Sequence, residues 1–156
     1  LITLDADNIE PGQTNNILNL VDGLGCAYTI YSTRKHCAAK PRLRIIIPTD
    51  RVMQTEEYEP IARKIANFIG MEIMDSSTFE PSRLMYWPSC SKNSEFIFRY
   101  ADKPFANYNP NAIEKCLTSC NNGKQYHNFN SHICLSFCNE DGSQNLYHKD
   151  FYRHHA

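Results

Sequence analysis

The alternation of apolar and polar residues at the start of the chain predicts a strand. Residues 1–7 read Leu-Ile-Thr-Leu-Asp-Ala-Asp, and every second side chain of an extended strand lies on the same face. A helix is expected next, because residues 17–24 carry apolar side chains at helical spacing between Pro11-Gly12 and two glycines. The beginning of the chain therefore predicts one strand followed by one helix.

The same reasoning predicts further strands and a longer helix. Residues 26–32 are rich in aromatic and β-branched side chains, and residues 42–48 read Arg-Leu-Arg-Ile-Ile-Ile-Pro, so both are expected to be strands. Thr55 is expected to cap a helix whose apolar stripe continues to Gly70. Two shorter strands are predicted at residues 72–74 and 95–100.

The composition indicates a globular core followed by a tail of different amino-acid composition. With 42% apolar and 21% charged residues, a chain of 156 residues can bury a core. We expect residues 1–102 to form an α+β core, truncated at its N-terminus, and residues 103–156 to form a linker and a Cys/His-rich appendage. With a net charge of −1, the chain has no overall positive charge that would attract nucleic acid, so any such binding needs a local basic patch. No apolar run is long enough to span a membrane. Seven cysteines, an odd number, fit a reducing compartment better than a disulfide framework.

Three aspartates are the first candidate site. Asp5 and Asp7 lie on one face of the first predicted strand, and two adjacent carboxylates repel each other unless a cation lies between them. Asp75 follows a predicted strand and can add a third carboxylate. Three carboxylates around two Mg²⁺ or Mn²⁺ ions are suited to nucleotidyl transfer. The alternatives are solvated acidic residues at a strand end and, for Asp75, an Asx-turn or helix N-cap.

The second candidate site is cationic. Six basic side chains fall within eleven residues, and the last two share one face of a predicted strand. Arginine binds phosphate through two parallel hydrogen bonds, and a triphosphate needs several such contacts. The alternative is a solvated basic edge that discourages sheet aggregation. The six residues are Arg34, Lys35, His36, Lys40, Arg42 and Arg44.

Two later segments also carry candidate chemistry. Arg83 stands close to Tyr86 and Trp87, which can present a cation and aromatic rings to a base or sugar, or can instead belong to the core or its lid. Two Cys-x3-Cys pairs in the tail can form a tetrahedral zinc site, or can be small buried apolar residues. These cysteines are Cys116, Cys120, Cys134 and Cys138.

In combination, these motifs resemble a known family. The segments that carry the likeness are Asp5-x-Asp7, Tyr31-Ser-Thr-Arg-Lys-His36, Lys40-Pro-Arg-Leu-Arg-Ile-Ile-Ile-Pro48 and Asp75-x-x-x-Phe-x-Pro-x-Arg83-Leu-Met-Tyr-Trp-Pro-Ser89. They look like the primase–polymerase domain of phage and plasmid replication proteins, the virulence-associated E-type branch of the archaeo-eukaryotic primase superfamily. The resemblance covers residues 1 to about 100.

The resemblance implies a fold and a function. The fold would be archaeo-eukaryotic primase-like, with an RRM-like mixed or antiparallel sheet flanked by helices. The function would be template-directed nucleotide polymerisation, with two metal ions at Asp5, Asp7 and Asp75. Where the superfamily has a phosphate-binding histidine this chain has Arg34, so another basic residue must hold the nucleotide. The candidates for nucleotide binding are His36, Lys40, Arg42, Arg44 and Arg83.

The resemblance also implies partners and a location. These are a DNA template and primer, nucleoside triphosphates, a helicase-type ATPase module in the same full-length protein, and the cytoplasm of a bacterial host, without a membrane. Two other classes of function stay open. One is a non-catalytic module that binds single-stranded nucleic acid, and the other is a metal-dependent nuclease.

Overall fold

The computed structural model describes residues 1–92 and 94–107, together with the backbone of residues 137–138 and 144–145. The first half of the chain contains three strands and two helices, and two short 3₁₀ turns precede the last strand of the main sheet. The elements are β1 (Ile2–Ala6), α1 (Thr14–Asp22), β2 (Tyr28–Ser32), β3 (Leu43–Ile47), α2 (Thr55–Ile69), the 3₁₀ turns Met71–Ile73 and Ser76–Phe79, β4 (Phe98–Ala101), and the paired segments β5 (Phe137–Cys138) and β6 (Gln144–Asn145).

The main sheet has the strand order β1-β3-β2-β4, and each neighbouring pair is antiparallel. β1 and β2 are connected through α1, and β3 lies between them in the sheet. This is a split βαβ arrangement. The predicted α+β class, with an antiparallel sheet flanked by helices, is confirmed. Within the described residues no helix is long and apolar enough to cross a membrane.

One face of the sheet forms the core. Ile2, Leu4 and Ala6 of β1 are fully buried on this face. They belong to the same apolar cluster as Ile17 and Val21 of α1 and the apolar stripe of α2. Because side chains alternate along a strand, the residues between them project from the opposite face, which lacks helices among the described elements. That opposite face, called the open face below, carries Asp5.

The outer edge of β1 is capped by side chains. Thr78 Oγ1 accepts a hydrogen bond from Asp5 N (2.9 Å) and donates one to Thr3 O (3.1 Å). The Tyr58 hydroxyl also donates to Thr3 O (3.0 Å), and Asp75 N donates to Asp5 O (2.8 Å). These bonds satisfy backbone groups that an edge strand would otherwise leave unpaired.

This capping explains why the strand predicted at residues 72–74 is wrong. Residues 71–73 form a 3₁₀ turn, and only Met74 forms a bridge, to Ala6 of β1. The β1 groups that a longer strand would bond are already held by Tyr58 and Thr78. Gly70, with φ of +140°, makes the sharp exit from α2 in a conformation that favours glycine.

Two other boundaries differ from the prediction. The N-cap of α2 is Gln54, not Thr55, because the Glu57 carboxylate accepts a hydrogen bond from Gln54 N (2.9 Å). The last strand of the main sheet, Phe98–Ala101, begins three residues later than predicted. Just before this strand, Ile97 N donates its hydrogen bond to the Ser32 hydroxyl (2.9 Å) instead of to a backbone carbonyl of the neighbouring strand.

We expect Thr78→Val to destabilise the domain by about 1–3 kcal/mol, because it leaves the buried Asp5 N–H without an acceptor at nearly unchanged side-chain volume. Urea denaturation would measure the loss. Thr55→Val, at an exposed position in the first turn of α2, is the control and should change little. Equal stability of Thr78→Val and the wild type would contradict the role given to this hydroxyl.

Candidate active site

A row of side chains crosses all four strands on the open face of the sheet. Asp5 of β1 lies opposite Arg44 of β3, Arg44 lies opposite Tyr31 of β2, and Tyr31 lies opposite Phe98 of β4. Residues opposite each other in a ladder share a face, so the four side chains form one line. The row begins with a carboxylate and ends with an exposed aromatic ring.

Asp5 and Arg44 form a buried ion pair. Arg44 Nη2 lies 2.8 Å from Asp5 Oδ2, and the two residues are only 9% and 3% exposed. Arg44 Nη1 donates to the carbonyl oxygen of Tyr86 (3.0 Å), which also accepts a hydrogen bond from the Tyr31 hydroxyl (3.0 Å). Burial opposes the charge on Arg44, but the hydrogen bond and charge of Asp5 outweigh it, so that the pKa of Arg44 is raised. Asp5 Oδ1 is buried and has no hydrogen-bond partner among the described residues.

Asp7 lies beside this pair, and its negative charge is less well stabilised than that of Asp5. Its Oδ2 accepts a hydrogen bond from Arg42 Nη1 at 2.7 Å, and both side chains are partly exposed. Even so, the pKa of Asp7 is raised, first by desolvation and then by the charge of Asp5, which together exceed the opposite effect of Arg42. Asp75 raises it further. The pKa of Asp7 is thus raised mainly because burial disfavours its charge, and secondly because Asp5 repels it.

Asp75 joins the same cluster from the segment that caps β1. Its Oδ1 accepts hydrogen bonds from the backbone N (2.8 Å) and the hydroxyl of Ser77, which lower its pKa. Arg83 Nη2 lies 3.7 Å from both Asp75 Oδ2 and Asp5 Oδ2, and Arg83 also donates to the Ser77 hydroxyl. Asp75 is the N-cap of the turn Ser76–Phe79, so the N-cap alternative is confirmed. The same residue is also part of the carboxylate cluster.

The donor chemistry of this cluster fits a divalent cation. Carboxylate oxygens are the ligands that Mg²⁺ and Mn²⁺ prefer. The unpartnered Asp5 Oδ1 and the raised pKa of Asp7 are both features that a bound cation would relieve. As arranged, each carboxylate instead contacts an arginine, and no group of three His, Cys, Asp or Glu side chains in the described part of the chain is positioned to hold a metal.

The predicted basic residues divide into two groups. Arg42, Arg44 and Arg83 contact the carboxylates. His36 is buried, and its Nδ1 accepts a hydrogen bond from Arg42 N (3.0 Å), so this ring holds the start of β3 in place. Lys40 is exposed in the turn between β2 and β3. Arg34 and Lys35 are exposed in the same loop and match the solvated basic edge described as the alternative.

The structure adds site residues that the sequence reasoning missed. Ser77 and Thr78 attach the Asp75 segment to Arg83 and to β1, and the Ser-Ser-Thr run after Asp75 was the available signal. Tyr31 could have been identified from the alternation of side chains along the strand predicted at residues 26–32. Leu84, Tyr86 and Trp87 are not core residues, because their exposed fractions are 73%, 73% and 90%.

The predicted zinc ligands cannot be placed. Cys116, Cys120 and Cys134 lie outside the described residues, and only the backbone of Cys138 is described, in β5. The three cysteines whose side chains are described, Cys26, Cys37 and Cys90, are free thiols. The zinc site therefore stays a prediction, as does the division of the chain at residue 102.

The fold and the cluster define an α+β domain with a carboxylate–arginine site on a sheet face. Residues 1–118 match the family model described as the VapE N-terminal domain, so the chain belongs to this family. Membership indicates a VapE-type protein of phages or plasmids that is related to the replication of mobile elements. No curated protein and no solved structure matches the chain.

The pKa shifts of Asp7 and Asp75 predict opposite effects of neutralising them. Because the pKa of Asp7 is raised above its ordinary value of 3.8, its ionisation costs stability as pH rises through the folded-state pKa. We therefore expect Asp7→Asn to be at least as stable as the wild type at pH 7. The pKa of Asp75 is lowered, so its charge stabilises the fold above the ordinary value and the effect disappears as pH falls. Asp75→Asn should be less stable at pH 7.

Urea denaturation of both variants over a pH series would check these signs. Both differences from the wild type should shrink in acid, where all three proteins carry neutral side chains at these positions. Loss of stability in Asp7→Asn at pH 7, with a gain in Asp75→Asn, would contradict the electrostatics described for the cluster.

Proposed function

We propose that this domain carries out metal-dependent, template-directed nucleotidyl transfer as a primase or DNA polymerase. The supporting observation is that Asp5, Asp7 and Asp75 belong to one cluster of carboxylates and arginines, in which a buried oxygen of Asp5 has no described partner. The resemblance to primase–polymerase domains and the membership in a mobile-element family agree with it.

The proposed reaction joins a nucleotide to a growing strand. The 3′-hydroxyl of the primer loses its proton to water, and its oxygen forms a bond to the α-phosphorus of the incoming nucleotide. The bond from that phosphorus to the oxygen that bridges the α- and β-phosphates breaks, which releases pyrophosphate. Asp5, Asp7 and Asp75 would hold the Mg²⁺ or Mn²⁺ ions that activate the hydroxyl and stabilise the leaving group. DNA template and primer, nucleoside triphosphates and a helicase-type ATPase module are the partners proposed for the full-length protein.

The arginines would bind the triphosphate. Arg44 is buried and held by Asp5 and the Tyr86 carbonyl, so it serves as a fixed charge. Arg42 and Arg83 are more exposed, and Arg83 lies 3.7 Å from its carboxylates rather than at hydrogen-bond distance. These two can turn from carboxylate to phosphate when the cations bind. His36 would act by positioning Arg42, and Lys40 stays a predicted phosphate ligand on the exposed loop.

A second candidate function is a non-catalytic module that binds single-stranded nucleic acid. The observation in its favour is that arginines contact all three carboxylates, as in a purely structural ion-pair cluster. Binding of labelled single-stranded DNA with and without Mn²⁺ and nucleotide distinguishes the two functions. Affinity that is indifferent to both ligands favours the module.

We expect the double variant Asp5→Asn/Asp7→Asn to lower nucleotide incorporation by about 10²-fold or more, because it removes carboxylate ligands from the proposed metal site. Incorporation of labelled nucleotide on a primed and an unprimed template, with Mg²⁺ or Mn²⁺, would measure the loss. Asp102→Asn, at an exposed position after β4, is the matched control. Full activity in a folded double variant would remove the proposal.

Arg83 is expected to compete with the divalent cation for Asp5 and Asp75. Arg83→Gln should therefore bind Mn²⁺ about fivefold more tightly than the wild type, a change expected for one partly exposed ion pair. Isothermal titration calorimetry with Mn²⁺ alone would measure it. Lys103→Gln, which removes an exposed pair with Asp22, is the control and should not change the affinity. Unchanged or weaker binding in Arg83→Gln would contradict the competition.

A further inference from the structure

Three aromatic rings form an exposed line along the edge of the sheet. Phe96, Phe98 and Tyr100 alternate along the chain, and their exposed fractions are 47%, 54% and 66%. The first two rings are nearly parallel, with centroids 6.4 Å apart, and the second and third are 6.1 Å apart. Large aromatic side chains are usually buried, and a contiguous exposed group of them marks an interaction surface. We call these three residues the aromatic stripe.

The aromatic stripe lies on the open face of the sheet, the same face as the carboxylates. Phe98 is opposite Tyr31, and Tyr100 is opposite Thr29. Phe98 is the fourth member of the row that begins at Asp5, three strand spacings or about 14 Å away. The segment that contains Tyr86 and Trp87 crosses the face between the two sites and leaves both rings exposed.

The charges around the stripe suit a polyanion. Arg99 lies between Phe98 and Tyr100 on β4 and so projects toward the opposite face, while Glu95 is exposed ahead of the strand. The loop at residues 33–41 is held against the chain that leads into the stripe. The Ser91 hydroxyl donates to Arg34 O (2.9 Å), and the Ser94 hydroxyl donates to His36 O. This loop exposes Arg34, Lys35 and Lys40, and Lys92 is exposed beside it.

We propose that the aromatic stripe binds single-stranded nucleic acid by base stacking, with its phosphates near the basic loop at residues 33–41. Exposed rings in a line beside cations are the combination that sequence-tolerant single-strand binding uses, and paired bases inside a duplex present no free faces to such rings. If the proposed polymerase function is correct, the bound strand is the template, held about 14 Å from the carboxylates. The binding itself does not depend on that function.

The full chain and fluorescein-labelled oligothymidine test this surface by fluorescence anisotropy. Phe98→Leu/Tyr100→Leu keeps apolar bulk in the edge strand but removes two planar faces, and it should weaken binding at least about tenfold. Phe68→Leu, at an exposed phenylalanine on α2, is the matched control and should bind as the wild type does.

Trp87, the single tryptophan of the chain, gives an independent signal through quenching. Arg34→Gln/Lys35→Gln should reduce the dependence of affinity on salt.

Three results of the DNA-binding measurements would overturn the proposal. They are an absence of single-strand binding by the wild type, equal binding by the leucine variant, and equal affinity for duplex and single strand. A fourth is a dimer that dissociates in the leucine variant while DNA affinity stays the same, because the stripe would then be a contact between copies. The Asp7→Asn variant, which keeps the buried Asp5–Arg44 pair, separates this proposal from the polymerase function. It should still bind single strands, whether or not it incorporates nucleotides.

Discussion

The buried pair between Asp5 and Arg44 is the interaction on which the rest of the site depends. Two charges taken out of water are tolerated only when further hydrogen bonds surround them, and removing one leaves the other uncompensated. Here the pair also connects two covering segments to the sheet. Arg44 donates to the carbonyl of Tyr86, in the segment that crosses the open face. The backbone of Asp5 bonds to Thr78 and Asp75, in the segment that covers the edge of β1. Both segments therefore meet the sheet at a single cross-strand position.

Much of the framework could be predicted from the sequence. Period-two alternation identified β1 and β3, helical spacing identified α1 and α2, and alternation placed Asp5 and Asp7 on one face. The pairing of each carboxylate with a particular arginine could not be predicted, because it depends on strand register, which loop geometry and packing determine. The strand expected at residues 72–74 failed for a related reason. Its place beside β1 is taken by the hydroxyls of Thr78 and Tyr58, which no local pattern reveals.

The two faces of the sheet differ in what they contain: one carries the stabilising core, and the other carries the candidate functional residues. The two helices pack on one face, where apolar side chains make the core, and the other face is left to polar and aromatic residues. On that open face, charged groups gather at β1 and β3, and aromatic rings gather at β4. A sheet covered on both faces would need apolar side chains in each of these positions. The single helical layer is thus what makes room for the carboxylate–arginine cluster and the aromatic stripe.

The capping of β1 has a consequence for how the sheet can grow. The outer backbone groups of β1 are already bonded to Thr78, Tyr58 and Asp75, so a strand from another segment has no ladder to join there. Among the described strands of the main sheet, β4 is the other edge. Within the described part of the chain, β4 is therefore the edge at which a neighbouring domain or second molecule could extend this sheet by strand addition, and the added strand would lie beside the one that carries Phe98 and Tyr100.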